Sequence, residues 1–179
     1  MRDQGFYNLV ATLAAVVAIS VVTAVPGFSS SGSAPAAGAA RTSRVNLTVS
    51  LNGMTGWPQF VPANFSVPVG PVVITIVDQD APMSWPACSC RVAGTVGGFE
   101  RVNGTAESQV SDSNVAHTFT VPSLGLNVLS PGASTVTFTI DLPHAGSFPW
   151  FCEAPCGSNG YEGPPMGVPG YMTGTITVD

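Results

Sequence analysis

Three residues with metal-binding side chains lie in the C-terminal two thirds of the chain. His117 is in the segment VAHTFTV, Cys152 in GSFPWFC and Met172 in YMTGTITV. Imidazole, thiolate and thioether are the donors of copper sites in proteins. The three residues therefore predict copper as the cofactor, provided that the fold brings them together.

Strand periodicity predicts that these side chains point into a core. Alternate side chains of a β-strand point to the same face. His117 then shares a face with Phe119, and Cys152 shares a face with Trp150. Met172 continues the apolar face of the last strand. We expect the three to converge at one end of a β-structure.

The second of the two histidines, His144, is not expected to join them. It lies eight residues before Cys152, roughly 26 Å away along an unbroken strand at about 3.3 Å per residue. Its neighbours Pro143 and Gly146 indicate a turn. We interpret His144 as a turn residue at the opposite end.

The elements that position these residues are predicted to be short strands. Apolar and polar residues alternate in 45–51, 71–78, 115–121, 134–140 and 174–178, and Gly/Pro turn signals separate these segments. The pattern predicts an all-β fold of about seven strands, an antiparallel sandwich or Greek-key barrel. Residues 81–114 lack the alternation and predict a long loop before His117.

Composition predicts three segments. Residues 6–28 are uncharged and apolar, which favours a retained transmembrane helix over a cleaved signal peptide within 1–28. Residues 29–43 are rich in Ser, Gly, Ala and Pro and predict a flexible linker. Residues 44–179 are of single-domain size. Either interpretation of 1–28 places the domain on the extracytoplasmic side of a membrane.

The net charge and the positions of the acidic residues argue against nucleic-acid binding and against hydrolysis. The chain has five arginines, no lysine and a formal net charge of −5, which argues against nucleic acid as a partner. No two of the acidic residues Asp78, Asp80, Glu153 and Glu162 share a predictable face. We expect them to be solvated surface groups, so no hydrolase is supported.

The C-terminal motifs resemble the cupredoxins, the family of copper-binding Greek-key barrels that includes plastocyanin, sulfocyanin and the copper domain of cytochrome c oxidase subunit II. GSFPWFCEAPC followed by PGYMTGTITV is similar to the last two strands of that family and the ligand loop between them. The resemblance covers about 45–179. It implies that His117 is the first histidine ligand, Cys152 the thiolate ligand and Met172 the methionine ligand.

The ligand loop departs from the family pattern. The spacing of Cys152 and Cys156 is that of the dinuclear copper centre of oxidase subunit II, but no histidine lies between Cys156 and Met172, and Val168 stands where the family has one. We therefore expect a mononuclear site rather than a dinuclear one. Cys156 is the first candidate to replace the missing imidazole and Met166 the second, while Cys88 and Cys90 form a third source of donors.

Four cysteines in an exported chain also permit a disulfide. A bridge within Cys88-Ser-Cys90 would be strained, so the favoured pairing joins Cys88 or Cys90 to Cys156. Such a bridge is compatible with a mononuclear site at Cys152 and incompatible with a dinuclear one.

The leading hypothesis is a membrane-anchored copper protein that carries single electrons on the outer face, with a redox protein or a respiratory complex such as a terminal oxidase as its partner. It predicts an electron carrier or oxidase-associated subunit rather than an enzyme. One alternative is an accessory or assembly subunit with a degenerate, copper-free site. The other is a protein that delivers Cu(I).

Overall fold

The computed structural model describes residues 42–83, 85, 88–156 and 163–179. The chain divides into two compact units, Met1–Ala37 and Gly38–Asp179, and every described residue belongs to the second. The predicted transmembrane segment and most of the predicted linker lie outside the described residues. Within the described ranges, no helix is long and apolar enough to cross a membrane.

Short strands dominate the described part of the chain, which confirms the all-β prediction. They are β1 (Ser43–Leu51), β2 (Pro58–Val61), β3 (Asn64–Val67), β4 (Gly70–Asp78), β5 (Glu100–Val102), β6 (Thr105–Glu107), β7 (Val115–Val121), β8 (Leu126–Pro131), β9 (Ser134–Leu142), β10 (Gly146–Phe151) and β11 (Thr173–Val178). A 3-10 turn (Pro122–Leu124) and the one-turn helix α1 (Pro164–Gly167) connect strands.

The strands form two sheets that share one core. The first sheet has the order β2-β1-β4-β9-β5-β6 and the second the order β3-β11-β10-β7-β8. Strands β7 and β10 are neighbours in the second sheet, although β9, which precedes β10 in sequence, lies in the first. The connections therefore cross between the layers, as in Greek-key sandwiches.

The expectation of a wholly antiparallel arrangement is wrong at two places. Strands β1 and β4 pair in parallel, and so do β3 and β11. The reason is that the chain crosses from the first sheet to the second between β2 and β3 and returns before β4. Strands β1 and β4 are therefore related by a crossover instead of a hairpin, whereas β3 and β11 are distant in sequence and meet only through the packing of the second sheet.

The predicted alternation matches the observed burial along most strands. Val72, Ile74 and Ile76 of β4 are fully buried, and their partners on β9 are buried as well. Leu51 is an exception, since 61% of it is exposed. It occupies the last position of β1, beside the turn into β2, where the strand leaves the core.

An aromatic cluster joins the two sheets beneath the end of β10. The ring of Trp150 stacks on Phe119 at a centroid distance of 4.8 Å and meets the edge of Phe60, from the other sheet, at 4.9 Å. Gly174 lies directly across from Trp150. A Cβ atom at Gly174 would collide with the carbonyl of Ala63 and with the indole nitrogen, so this strand pair requires glycine.

The predicted loop 81–114 contains a short hairpin that the sequence did not reveal. Strands β5 and β6 pair with each other, and β5 extends the first sheet beside β9. Each has only three residues, too few for a period-two pattern to be recognised.

Candidate metal centre

Strand ends bring the three predicted donors to one end of the sandwich. Strands β7 and β10 are antiparallel, and Thr120 lies opposite Phe151. The residue after Phe151, Cys152, therefore lies beside the part of β7 that carries His117. Cys152 also donates its backbone N–H to the carbonyl of Met172 at 2.9 Å. The start of β11 thus lies next to the end of β10.

His117, Cys152 and Cys156 form a compact buried group. Nδ1 of His117 lies 3.1 Å from Sγ of Cys156 and 4.0 Å from Sγ of Cys152. The two sulfurs lie 3.4 Å apart. All three side chains are at most 2% exposed, and their donor atoms lie within 4.8 Å of one another. One metal ion could therefore contact all three donors.

The sulfur of Cys152 is held by the backbone as well. The N–H of Thr118 donates to it at 3.3 Å. The next residue, Glu153, donates its own N–H to the hydroxyl of Thr118 at 2.6 Å. Strand β7 thereby fixes both the start of the ligand loop and the sulfur it carries.

Asp80 completes the surroundings of the imidazole. Its Oδ2 lies 2.8 Å from Nε2 of His117. The expectation that Asp78 and Asp80 are solvated surface groups is therefore wrong: Asp78 is 2% exposed and the Asp80 side chain 13%. The sequence shows only that both residues end a long apolar strand. Their proximity to His117 depends on the packing of β4 against the other sheet.

Electrostatics favour one thiolate in this group. Burial opposes ionisation of Cys152, but hydrogen bonds from Cys156 and His117, the charge of His117 and the Thr118 N–H hold the pKa of Cys152 well below its ordinary value. The pKa of Cys156 is raised because its thiol donates to Cys152 and is itself buried. Of the two thiols, Cys152 is therefore the more readily ionised.

The imidazole of His117 carries the balancing charge. Burial lowers its pKa, but the hydrogen bonds with Asp80 and Cys152 outweigh burial and raise the pKa to about 10. At neutral pH its Nδ1–H points at the sulfurs and its Nε2–H at Asp80. A metal ion would take the place of the Nδ1 proton.

The predicted disulfide is corrected by the structure. Cys88 is bonded to Cys90, and Cys152 and Cys156 are free and buried. The two Cα atoms lie 5.0 Å apart, a separation that disulfides span, and Cys90 itself has a φ of +45°. Cys156 does not pair with this loop because its sulfur faces Cys152 and His117.

The other candidate residues lie around or away from this group. Met172 is fully buried. Met166 is half-buried and lines a surface cavity of about 470 Å³ that reaches Cys152. His144 is exposed and precedes β10 at the end opposite Cys152, as its spacing predicts. It lies against Phe148, at 5.4 Å between ring centroids.

A second cavity, of about 390 Å³, reaches His117 and Cys156 from the other side. Its wall includes Asp80, Met83 and Leu51. The buried donors therefore lie close below the protein surface on two sides. Met83 is a thioether beside the site that strand periodicity could not single out, since it lies in a loop.

The donor set fits one copper ion. Two sulfurs and one imidazole close enough to contact one ion are donors that copper accepts. A dinuclear centre of the kind that the resemblance suggests needs a second histidine, and the chain's other histidine, His144, lies at the opposite end of β10.

Fold and site together define a β-sandwich protein with a buried centre of sulfur and nitrogen donors. No protein-family model matches the chain, and no curated protein matches it. Among solved structures, the chain is similar to auracyanin B at 13% identity and a TM-score of 0.38, with 78% of this chain and 91% of that chain covered.

Proposed function

We propose that this protein is a cupredoxin-like electron carrier with one copper ion bound by His117, Cys152 and Cys156, and with Met172 as a further ligand. The observation that carries the proposal is the convergence of the imidazole and two free thiols at the end of an all-β sandwich, with Nδ1 of His117 3.1 Å from one sulfur and 4.0 Å from the other.

Copper in such a site supplies a one-electron couple between Cu(I) and Cu(II). The chain's own residues supply the donors and hold them in place. The cysteines would bind the ion as thiolates and His117 as a neutral imidazole, so metal binding releases the protons that these groups hold. The backbone N–H of Thr118 and the strand ends hold the donors in place. A rigid donor set suits electron transfer, because little rearrangement accompanies the change of charge.

The location of the protein is part of the same proposal. An apolar segment within 1–28 would hold the domain on the outer face of a membrane, and the linker 29–43 would let it reach a partner. With an r.m.s. span of about 5–6 Å times the square root of its length, the linker gives a reach of roughly 20 Å. The proposed partner is a redox protein or a membrane respiratory complex.

Copper stoichiometry and absorption of the purified full chain test this function. We expect one copper per chain and an intense thiolate-to-Cu(II) band that ascorbate bleaches and oxidation restores. Cys152→Ser should abolish the band. His117→Gln should weaken copper binding, whereas His144→Gln, its control at the other end of β10, should leave binding unchanged. A chain that binds no copper would overturn the proposal and favour an accessory or assembly role.

A second candidate, delivery of Cu(I), is favoured by the sulfur-rich donor set. Two sulfurs 3.4 Å apart with a single imidazole suit the softer ion Cu(I). Tight, colourless copper that air does not oxidise but that a competing thiol ligand removes would support delivery over electron transfer.

A further inference from the structure

One imidazole joins the sulfurs to an acidic residue on the far side of the ring. Nδ1 of His117 faces Cys152 and Cys156, and Nε2 lies 2.8 Å from Oδ2 of Asp80. The two nitrogens of an imidazole belong to one rigid ring and point in different directions. A partner that holds Nε2 therefore determines where Nδ1 points.

Asp80 is itself held by several backbone contacts. Its N–H donates to Oδ1 of Asp78 at 3.0 Å, and its carbonyl accepts from the N–H of Ala133 at 2.8 Å. A Cβ atom at Gly132 would lie 2.7 Å from that carbonyl, so the neighbouring turn packs directly on the Asp80 backbone. These contacts hold the backbone from which the carboxylate reaches His117.

The hydrogen bonds around Asp80 continue to β7, the strand that carries His117. Oδ2 of Asp78 accepts from the hydroxyl of Ser130 at 2.7 Å, and Ser130 lies directly across from His117 in the β7–β8 pair. Asp78, Asp80 and His117 are thus connected through both sheets. The carboxylate and the imidazole belong to one rigid unit.

We propose that Asp80 is a positioning residue of the metal centre: it orients His117 so that Nδ1 faces the sulfurs, and its negative charge strengthens Nδ1 as a donor and favours Cu(II) over Cu(I). This inference rests on the proposed copper site. Carboxylates that accept the second N–H of a ligating histidine raise its basicity and fix its orientation. Since the site has one imidazole, this donor matters most for Cu(II), which prefers nitrogen to thioether.

Two substitutions in the full chain separate the orienting effect of Asp80 on His117 from the effect of its negative charge. Asp80→Asn keeps an acceptor for Nε2–H but removes the charge, and Asp80→Ala removes both. Asp141→Asn is the control, because this exposed aspartate at the far end of β9 changes the net charge equally. Copper affinity is measured by chelator competition, and the reduction potential by redox titration of the thiolate-to-copper absorption.

We expect Asp80→Ala to weaken copper binding about 10- to 100-fold, the usual effect of removing such a partner. Asp80→Asn should retain copper at a higher reduction potential than the wild-type chain, and Asp141→Asn should change neither quantity. Unfolding curves of the metal-free variants establish that each is folded. If both Asp80 variants match the wild type in affinity and potential while Cys152→Ser still loses copper, the inference is wrong and the copper site stands.

A measurement without metal keeps the two proposals distinguishable. In the metal-free wild-type chain, ¹⁵N NMR should show a slowly exchanging Nε2–H on His117, and Asp80→Ala should make this proton exchange rapidly. This result would support the orienting role even if the chain binds no copper, in which case only the proposed function fails. Equal exchange in both chains would overturn the orienting role.

Discussion

Cys152 and Met172 are linked directly through the backbone: the N–H of Cys152 donates to the carbonyl of Met172 at 2.9 Å. They follow the register in which Trp150 lies opposite Gly174, so both side chains lie on the core face of β10 and β11. The peptide segment between them carries Cys156 and α1. A loop that leaves from one candidate ligand therefore returns at another.

Met172→Gln tests whether the thioether is a ligand. An amide oxygen is a harder donor than a thioether and favours Cu(II), so we expect a lower reduction potential and an altered absorption spectrum. Met54→Gln is the control, because Met54 is 94% exposed. An unchanged potential in Met172→Gln would assign Met172 to the core alone.

The disulfide assignment predicts which cysteines react with an alkylating reagent. In the unfolded, metal-free and unreduced chain, we expect Cys152 and Cys156 to be alkylated and Cys88 and Cys90 to be protected. Peptide mapping by mass spectrometry measures this directly. The double variant Cys88→Ser/Cys90→Ser should still bind copper, since neither sulfur belongs to the buried donor group. Protection of Cys156 would instead support the pairing predicted from the sequence, Cys88 or Cys90 with Cys156.

Substitution of Val168 tests whether a second imidazole would strengthen copper binding. It follows α1, and its carbonyl accepts from the N–H of Tyr171 at 3.3 Å, within the loop that ends at Met172. We expect Val168→His to supply a second nitrogen donor, so that copper is held more tightly as Cu(II) and the thiolate-to-copper band grows. A wild-type chain that already shows a full-strength band, unchanged by this substitution, would contradict the expectation.

Glu100 makes the stability of the domain depend on pH. It is fully buried, and its Oε2 accepts from the N–H of Leu129 at 2.9 Å. Among the residues that the structure describes, its Oε1 has no hydrogen-bond partner. Burial raises the pKa of Glu100 to about 8. The folded state therefore keeps a proton that the unfolded chain releases near its ordinary value of 4.5.

The free energy of unfolding should consequently fall as pH rises. The contribution is fully present below pH 4.5 and is lost as pH rises through about 8. Each pKa unit corresponds to about 1.4 kcal/mol, so we expect a loss of several kcal/mol. Glu100→Gln should flatten the pH dependence of urea unfolding and Asp141→Asn should leave it intact. Equal slopes in wild type and Glu100→Gln would contradict this.

The sequence determined the elements and the donors that they carry. Alternation in strands such as β4 and β9 needs only local chain geometry, since every second side chain points to the same face. The same rule places Trp150 and Cys152 on one face and His144 at the far end of β10. Residue chemistry then singles out His117, Cys152 and Met172 as candidate donors, because thiolate, thioether and imidazole are uncommon in combination.

Only the tertiary structure decided which loop residues meet these donors. Asp80 and His117 are 37 residues apart, and their hydrogen bond exists because the end of β4 and the start of β7, in different sheets, lie at the same edge of the sandwich. The Cys88–Cys90 bond occurs in a loop where Cys90 has a positive φ, a conformation that no spacing rule predicts. Contacts between loops follow from the packing of the sheets that carry them, and residue periodicity contains no information about that packing.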